Sequence, residues 1–567
     1  MNPSTNTTTR VALTLIAAAA LSACSTTAMR ATPVACAELP TALASLKNVR
    51  ITASKEVAAD DKGTPAHCQV TGVANERTGV DGNRYAIGFE MRLPQHWNKG
   101  FLHQVNGGND GKVVPALGAL PVLSTNGLQR GFAVISSDSG HSEADPSNKA
   151  FALAQGNAFG IDPQARRDYG YTANDTMFTV AQSVITSHYG QAPVRNYMAG
   201  CSNGGRHGLV AATRYADRYD GILAGAPGLN LPKAAVQHAW DVQSWQMVNP
   251  ADPDIRKAFT TDDMKLVAAK VLEKCDALDG AADGVVGDLA RCQSVFKLAD
   301  LQCSGAKTAQ CLSATQVTAL NRAFAGPRNS KGEALYSDWS FDAGMGSGNW
   351  RFWKMESQIP PWDKLPLIAT MGAGSLAYVF TTPPTMTNGT PAALLNFLTK
   401  FSFDADAPRI FARNDLHTES SMQFMTPPDV DDPKLAAFRQ RGGKLIVYHG
   451  NSDAVFSIND TQRWFGKLQA NAGADGAAFS RLYSVPGMAH CSGGPATDQF
   501  DALGALVDWV EKGQAPQALT ASLNPANKEV PADWSKTRTR PLCAWPQVAR
   551  YQGGDLESAS SFRCVAP

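Results

Sequence analysis

The segment Gly200-Cys201-Ser202-Asn203-Gly204 has the Gly-x-Ser-x-Gly pattern of a nucleophile elbow, a sharp turn from a strand into a helix that exposes a serine. The preceding residues 194–199 predict a short strand, and the residues from Gly204 to 211 predict a helix. Glycines on both sides of Ser202 relieve crowding in such a turn. We therefore predict that Ser202 is a nucleophile; the alternative is a glycine-rich turn whose serine caps the helix.

The size and charge of the chain set broad limits on its function. It has 567 residues, enough for one large or two ordinary domains, and its 51 basic and 50 acidic residues give a net charge of +1. This balance argues against a nucleic-acid groove or a polybasic membrane patch. Beyond the N-terminus, no run of 18 apolar residues predicts a membrane span.

The N-terminus has the features of a lipoprotein-type signal peptide over residues 1–23. Arg10 precedes the apolar run 11–20, and Leu21-Ser22-Ala23-Cys24 follows as a lipobox-like segment. We expect export to the periplasm or outer membrane, or secretion, with membrane contact only through a lipid on Cys24. Plain cleavage near Ala23 is the alternative. Residues 24–35 predict a short tether.

The cysteines predict disulfides. Removing Cys24 from the 11 cysteines leaves ten, and an even number in an exported chain indicates paired thiols. No Cys-x-x-Cys pair is present, which argues against zinc or thioredoxin-like sites. Proximity in sequence suggests four pairs: Cys36–Cys68, Cys275–Cys292, Cys303–Cys311 and Cys543–Cys564. Cys201 and Cys491 remain for a fifth pair, although sequence alone does not fix the connectivity.

Strand-like and helix-like segments alternate in two separated parts of the chain, which predicts an α/β fold with a mostly parallel sheet. The first part covers residues 36–228 and the second covers residues 432–567. Residues 229–431 between them show no such alternation and are far too long for a loop. We predict that this stretch is an inserted lid domain.

Two polar residues follow strands in the second part and complete a catalytic triad with Ser202. Asp453 lies after the predicted strand 444–448, and His490 lies after the predicted strand 481–485. The chain order Ser, Asp, His is that of α/β-hydrolases, in which the histidine takes the serine proton and the carboxylate orients the histidine. The competing acids are Asp460 and Asp498.

Cys491 follows His490 as Cys201 precedes Ser202. Because a disulfide holds its two Cα atoms about 4.4–6.8 Å apart, a Cys201–Cys491 bond would hold the nucleophile and base together.

Two backbone N–H groups are candidate oxyanion donors. The N–H of Asn203 follows the nucleophile directly, and Gly108 lies in the glycine-rich loop 106–111 after an early strand, where α/β-hydrolases place a second donor. The alternative for the loop is a simple turn.

An acidic loop in the insertion predicts a structural Ca²⁺ site. Ca²⁺ takes six to eight oxygen ligands, including backbone carbonyls. The spacing differs from that of an EF-hand, and the alternative is an acidic, solvated turn. The bracketing Cys275 and Cys292 favour the ion site, with three carboxylates and two carbonyls as ligands: Asp276, Asp279, Ala281, Asp283 and Val285.

The Gly-Cys-Ser segment, the His490-Cys491 pair and the acidic loop together resemble the tannase/feruloyl esterase family of α/β-hydrolases over nearly the whole mature chain. This resemblance implies the α/β-hydrolase fold with a large inserted lid. It also implies the triad, the two oxyanion donors, the structural Ca²⁺ and the five disulfides named above.

The resemblance also suggests the substrate pocket. Trp353 and Phe456 match aromatic pocket positions of the family. In a member that cleaves a terephthalate monoester, a lid arginine binds the free carboxylate; an ungapped count from Trp353 places Leu367 there and Met371 at a nearby aromatic position. We expect a monomeric serine carboxylic-ester hydrolase for small feruloyl, galloyl or terephthaloyl-type esters, acting through an acyl-enzyme. The alternatives are a serine peptidase and a non-catalytic, Ca²⁺-stabilised surface-binding protein.

Overall fold

The computed structural model describes residues 32–567, so the predicted signal peptide and Cys24 lie outside the described residues. Its centre is a mixed sheet of nine strands in the spatial order β1-β2-β3-β5-β4-β6-β7-β8-β9. Their bounds are β1 Val49–Val57, β2 His67–Thr78, β3 Arg84–Pro94, β4 Gly100–Gln104, β5 Ala133–Ser137, β6 Arg195–Cys201, β7 Gly221–Gly225, β8 Lys444–Gly450 and β9 Ser480–Val485.

Strands β5, β4, β6, β7, β8 and β9 run parallel, whereas β1, β2 and β3 form an antiparallel extension at one side. The parallel strands are short and nearly fully buried, as expected when helices cover both faces of a sheet. Since parallel strands end at the same edge, the segments that follow β4, β6, β8 and β9 meet there.

Alternating residues of the parallel strands supply two separate cores. Met198 of β6 packs in the core on one face of the sheet and Tyr197 packs in the core on the other. The helices that cover the faces, together with shorter helical turns, are Leu39–Ala42, Pro163–Arg167, Ala173–Tyr189, Asn203–Arg214, Ala436–Gln440, Ile458–Ala472, Gly476–Phe479 and Ala502–Lys512.

The insertion at residues 229–431 contains helices and turns and no strand among its described residues. It has its own buried core, which also takes in residues from the helical stretch Pro146–Ile161 of the preceding part of the chain. Its α-helices are Leu231–Gln246, Thr261–Cys275, Leu289–Val295, Ala314–Phe324, Gly348–Lys354, Met371–Gly374, Pro391–Lys400 and Ser421–Met425.

The sequence predicts strands at 85–93, 101–105, 132–136, 194–199, 219–224, 444–448 and 481–485 and a helix at 175–189. The seven strands β3 to β9 and the helix Ala173–Tyr189 occur within about two residues of these bounds. The predictions did not include β1 and β2, nor two small antiparallel sheets near the C-terminus. These sheets pair Ala518–Ser522 with Thr539–Cys543 and Val548–Tyr551 with Phe562–Val565.

The described residues contain five disulfides, and each joins a pair that the sequence predicts. They link Cys36 to Cys68, Cys201 to Cys491, Cys275 to Cys292, Cys303 to Cys311 and Cys543 to Cys564. Within residues 32–567, none of the helices combines the length and the apolar composition that a membrane crossing demands.

Candidate active site

Ser202 lies at the elbow between β6 and the helix Asn203–Arg214. Its backbone has φ +65° and ψ −124°, a region that non-glycine residues seldom occupy, and its N–H donates to Gly225 O at 2.9 Å. The neighbouring glycines are required by close packing, because a Cβ at Gly200 or Gly204 would lie 2.5 or 2.4 Å from Val105 O. The turn therefore projects the Ser202 side chain from the carboxyl edge of the sheet.

The three residues of the predicted triad form a continuous hydrogen-bonded chain. The Ser202 hydroxyl lies 2.8 Å from His490 Nε2, and His490 Nδ1 lies 2.8 Å from Asp453 Oδ2. With the proton on Nδ1 donated to the carboxylate, Nε2 is free to accept the serine proton, which is the arrangement that general-base activation of a hydroxyl needs. His490 follows β9 and Asp453 follows β8, so the sheet edge brings them together.

Asp453 is buried and held by donors on both oxygens. Its Oδ1 accepts from the backbone N–H groups of Val455 at 2.7 Å and Phe456 at 3.0 Å. Its Oδ2 also lies 3.1 Å from His449 Nε2. Burial would raise the pKa of Asp453, but its interactions with His490 and His449 outweigh burial and lower that pKa below its ordinary value. The carboxylate is therefore ionised at neutral pH and can orient His490.

The competing acids have other partners. Both carboxylate oxygens of Asp460 accept from Asn230 Nδ2 at 3.1 Å, and Asp498 Oδ2 accepts from the Gly493 N–H at 2.8 Å. Neither carboxylate bonds to His490.

The Cys201–Cys491 disulfide joins the residue before Ser202 to the residue after His490. Its Cα atoms are 6.0 Å apart, and it closes a loop of 290 residues. The bond therefore links the two loops that carry Ser202 and His490.

The two candidate oxyanion donors lie on two segments that adjoin Ser202. Asn203 is the first residue of its helix, where the backbone N–H has no partner within the helix and the helix dipole favours negative charge. Gly108 has φ +64° in the loop after β4. This loop contacts the elbow, since a Cβ at Gly107 would lie 3.5 Å from Ser202 Cβ.

Aromatic side chains of the insertion and the core flank His490. The Trp353 ring lies 5.0 Å and the Phe456 ring 5.5 Å from the imidazole, centroid to centroid, and both meet it edge to face. Met371 Sδ lies 4.0 Å from the position that a Cβ on Gly108 would take. Leu367 is buried in a turn that packs against the helix Gly348–Lys354, which carries Trp353. All four predicted pocket residues thus lie on segments around the triad.

Two histidines near the site were not singled out from the sequence. His449 contacts Asp453 as described above, and its position four residues before that acid was the available signal. His238 lies against Gly372, beside Met371, and makes no hydrogen bond to another described residue. Burial, together with the charge of Lys354, lowers the pKa of His238 to about 3, so this imidazole is neutral.

In the acidic loop at residues 276–285, backbone N–H groups donate hydrogen bonds to the loop's own carboxylates. Asp276 Oδ1 accepts from the N–H groups of Asp283 at 2.9 Å and Gly284 at 3.1 Å. Asp283 Oδ2 pairs with Arg540, while Asp283 Oδ1 is buried without a partner. Burial, together with the charges of Asp283 and Asp276, raises the pKa of Asp279 to about 7.

These oxygen donors suit Ca²⁺ in kind, and the unpartnered Asp283 Oδ1 and the mutual proximity of the three carboxylates fit a cation. Within the part of the chain that the structure describes, however, no three acidic, histidine or cysteine side chains are already arranged as a metal site. The carboxylates bond to backbone and to Arg540 instead.

The sequence and the fold were compared with those of known proteins. The model of the tannase and feruloyl esterase family matches residues 68–565. The chain is 43% identical, over 89% of its length and 85% of the relative's, to mono(2-hydroxyethyl) terephthalate hydrolase of Piscinibacter sakaiensis. It is 27% identical, over 88% of its length and 85% of the relative's, to a probable feruloyl esterase of Arthroderma benhamiae.

Solved structures of two fungal enzymes have a similar fold. Feruloyl esterase B from Aspergillus oryzae superposes with a TM-score of 0.70 at 22% identity, covering 94% of this chain and 99% of that one. Tannin acyl hydrolase from Aspergillus niger gives 0.65 at 19% identity, covering 92% of each chain. The predicted α/β-hydrolase fold and the resemblance to the family are confirmed.

The position of the Cys201–Cys491 disulfide generates a prediction. Replacing both cysteines by alanine should lower kcat at least about tenfold while the protein is folded, because an error of about 1 Å in the position of a catalytic group is costly. It should also lower stability, by up to about 5–6 kcal/mol in the chain-entropy account. The measurements are kcat well below the unfolding transition, and Tm.

The matched control is the double replacement Cys303→Ala with Cys311→Ala, which removes a disulfide of the insertion that closes a loop of 8 residues. It should change Tm and leave kcat unaltered. Wild-type kcat in the Cys201/Cys491 variant would reduce that bond to a structural cross-link.

Proposed function

The chain belongs to the tannase and feruloyl esterase family of ester hydrolases, and we propose that it is a serine carboxylic-ester hydrolase that cleaves small esters of aromatic acids through an acyl-enzyme. The observation that carries this proposal is the hydrogen-bonded chain from Ser202 through His490 to Asp453. Family membership favours this activity over a peptidase or a non-catalytic binding protein.

In the proposed mechanism, His490 Nε2 takes the proton of Ser202 as Oγ attacks the ester carbonyl carbon. The oxygen of the resulting tetrahedral intermediate accepts hydrogen bonds from the N–H groups of Asn203 and Gly108. His490 then donates the proton to the leaving alcohol as the C–O bond breaks. Water, activated by the same histidine, hydrolyses the acyl-enzyme and restores the serine hydroxyl. Asp453 keeps the imidazole oriented and stabilises its charged form.

The substrate acyl group is proposed to be aromatic because Trp353 and Phe456 contact the imidazole of the base with their ring edges. Aromatic rings prefer edge-to-face or offset stacking on one another, so such side chains favour a flat acyl group. The names of the relatives, a terephthalate monoester hydrolase and a probable feruloyl esterase, agree with this class. Leu367 supplies no charge for a free carboxylate, which favours feruloyl or galloyl esters over terephthalate monoesters.

We propose a structural Ca²⁺ ion at the acidic loop, held by the carboxylates of Asp276, Asp279 and Asp283 and by the carbonyls of Ala281 and Val285. The ion would neutralise three neighbouring negative charges and cross-link the loop, which the Cys275–Cys292 disulfide already closes. The loop belongs to the insertion and contains none of the triad residues, so the ion would stabilise the fold and take no part in the chemistry.

The protein is proposed to act as a monomer after export. All ten cysteines of the described chain are disulfide-bonded, which fits an oxidising compartment outside the cytoplasm. The lipobox-like segment favours anchoring through Cys24, with secretion of a cleaved, unlipidated form as the other outcome.

Ser202→Ala tests the proposed mechanism directly. It removes the attacking oxygen, so kcat on methyl ferulate or a p-nitrophenyl aromatic ester should fall at least about 10³-fold. Ser244→Ala is the control, because Ser244 is a buried serine of the insertion that bonds to Trp240 O. That control should keep wild-type kcat. Retention of more than a few per cent of activity in pure Ser202→Ala protein would contradict the assignment.

Leu367→Arg tests the location of the acyl pocket. A guanidinium binds a carboxylate bidentately, so the variant should raise kcat/KM for a terephthalate monoester relative to its neutral methyl ester by roughly tenfold. Leu367→Met, which adds no charge, should leave that ratio unchanged. An unchanged ratio in the arginine variant would show that Leu367 does not line the pocket.

Removal of Ca²⁺ should lower stability more than activity. Because a ligand that binds only the folded state stabilises it by mass action, excess EDTA should lower Tm by roughly 2–6 °C and leave kcat at 25 °C nearly unchanged. Added Ca²⁺ should restore Tm. Asp279→Asn should make Tm insensitive to EDTA, and an insensitive wild type would contradict the Ca²⁺ proposal.

A further inference from the structure

A second buried carboxylate–histidine pair lies beneath the nucleophile elbow, outside the triad. Asp110 belongs to the loop 106–111, two residues after Gly108. Its Oδ2 accepts a hydrogen bond from Asn203 Nδ2 at 2.9 Å and lies 3.0 Å from His207 Nε2. The side chains of Asp110 and His207 are each 1% exposed. The triad mechanism assigns these two residues no role.

The hydrogen positions in this pair follow from its neighbours. Asn174 Nδ2 lies 2.9 Å from His207 Nδ1, and Arg206 Nη2 lies 3.2 Å from Nδ1 and 3.1 Å from Nε2. With Asn174 as the donor to Nδ1, the ring hydrogen is on Nε2 and points to Asp110. Burial, together with the charge of Arg206, lowers the pKa of His207 well below its ordinary value, which keeps the ring neutral. Asp110 Oδ2 therefore accepts two hydrogens, one from the ring and one from the Asn203 amide.

The Asn203 side chain is held at both ends. While its Nδ2 donates to Asp110, its Oδ1 accepts from Arg206 Nε at 2.6 Å. Arg206 in turn donates to the backbone carbonyls of Gly170 at 2.7 Å and Tyr169 at 3.0 Å. An amide fixed at both ends cannot rotate without breaking a buried hydrogen bond, and an unpaired buried group is costly.

The Asp110 side chain connects the two segments that supply the candidate oxyanion donors. Asn203 carries one donor on its own backbone N–H, and Gly108 carries the other. Asp110 and Asn203 are 93 residues apart in sequence, so nothing local fixes their separation. Asp110 also has φ +54°, a left-handed conformation that Asp and Asn adopt more readily than most residues.

We propose that Asp110 is a positioning residue that sets the spacing of the two oxyanion donors through its hydrogen bond to the Asn203 side chain. This inference rests on the proposed function. Oxyanion donors act only when they lie about 2.7–3.1 Å from the developing charge, and the loss of one such donor lowers kcat about 10²–10³-fold. We therefore expect the Asp110–Asn203 bond to affect kcat more than KM, since oxyanion donors bind the charge that develops in the transition state more strongly than a neutral carbonyl oxygen.

The test removes the link from each side. Asp110→Ala and Asn203→Leu both abolish the hydrogen bond. Asn203→Leu keeps the backbone N–H of residue 203 and leaves the sequence of the loop 106–111 unchanged. Asp110→Asn keeps an acceptor oxygen and the tolerated backbone conformation. The double variant Asp110→Ala with Asn203→Leu completes a cycle. The measurements are kcat and KM on methyl ferulate, the affinity for an arylboronic acid that mimics the tetrahedral intermediate, and Tm.

Asp110→Ala and Asn203→Leu should each lower kcat at least about tenfold, with KM within about threefold of the wild type. Arylboronic acid affinity should fall in parallel with kcat. The double variant should lose little more than the larger single loss, because both changes remove one interaction. Asp110→Asn, unlike Asp110→Ala, should keep most of the wild-type kcat.

Asp138→Asn is the matched control. Asp138 is a half-buried carboxylate close to the same loop, but it accepts from the backbone N–H groups of Gly88 at 3.0 Å and Gly140 at 2.9 Å. Its replacement should lower Tm and leave kcat, KM and arylboronic acid affinity unchanged.

Two results would overturn the inference. One is a fall in Tm for Asp110→Ala with wild-type kcat and arylboronic acid affinity, which would make the network purely structural. The other is a double variant whose kcat loss is the product of the two single losses. Failure of the proposed function gives a different result, because the wild type would then show no Ser202-dependent ester hydrolysis.

Discussion

The site depends on how closely the helix Asn203–Arg214 approaches the sheet. A Cβ at Gly205 would lie 2.3 Å from Gly225 O, and one at Gly204 would lie 2.4 Å from Val105 O. Only glycine allows this approach, and at this turn Ser202 has a positive φ that non-glycine residues seldom adopt. The turn and the close approach together place the N–H of Asn203 at a helix N-terminus beside Ser202.

The rest of the triad follows from the direction of the strands. Because β6, β8 and β9 are parallel, Ser202, Asp453 and His490 leave the sheet at one edge although the 290-residue loop between Cys201 and Cys491 contains the whole insertion. The insertion adds Trp353, whereas the core adds Phe456 through the loop that also carries Asp453. The chain from Ser202 to Asp453 thus belongs to the core, and the insertion contributes one of the two aromatic rings beside His490.

Sequence alone predicted the features that have a local pattern or a fixed chain order. The elbow, the buried parallel strands and the disulfide pairs belong to this class, and the structure places His490 2.8 Å from both Ser202 and Asp453. The sequence did not predict β1 and β2, or the packing of Pro146–Ile161 on the insertion. These features arise from tertiary contacts, to which a short window of residues gives no signal. His207 was missed for the same reason, since its partner Asp110 lies 97 residues away.

The two carboxylate–histidine pairs bond to different groups of the elbow, and this difference separates the roles proposed for them. The chain of Asp453 and His490 ends at the Ser202 hydroxyl, where general-base activation would need it. The chain of Asp110 and His207 ends at the Asn203 side-chain amide, next to the backbone N–H that we propose as an oxyanion donor. Burial and the charge of Arg206 keep His207 neutral, and its other ring nitrogen contacts Asn174, so this ring is not suited to taking up a proton. The first pair is therefore suited to proton transfer and the second to holding a backbone donor in place.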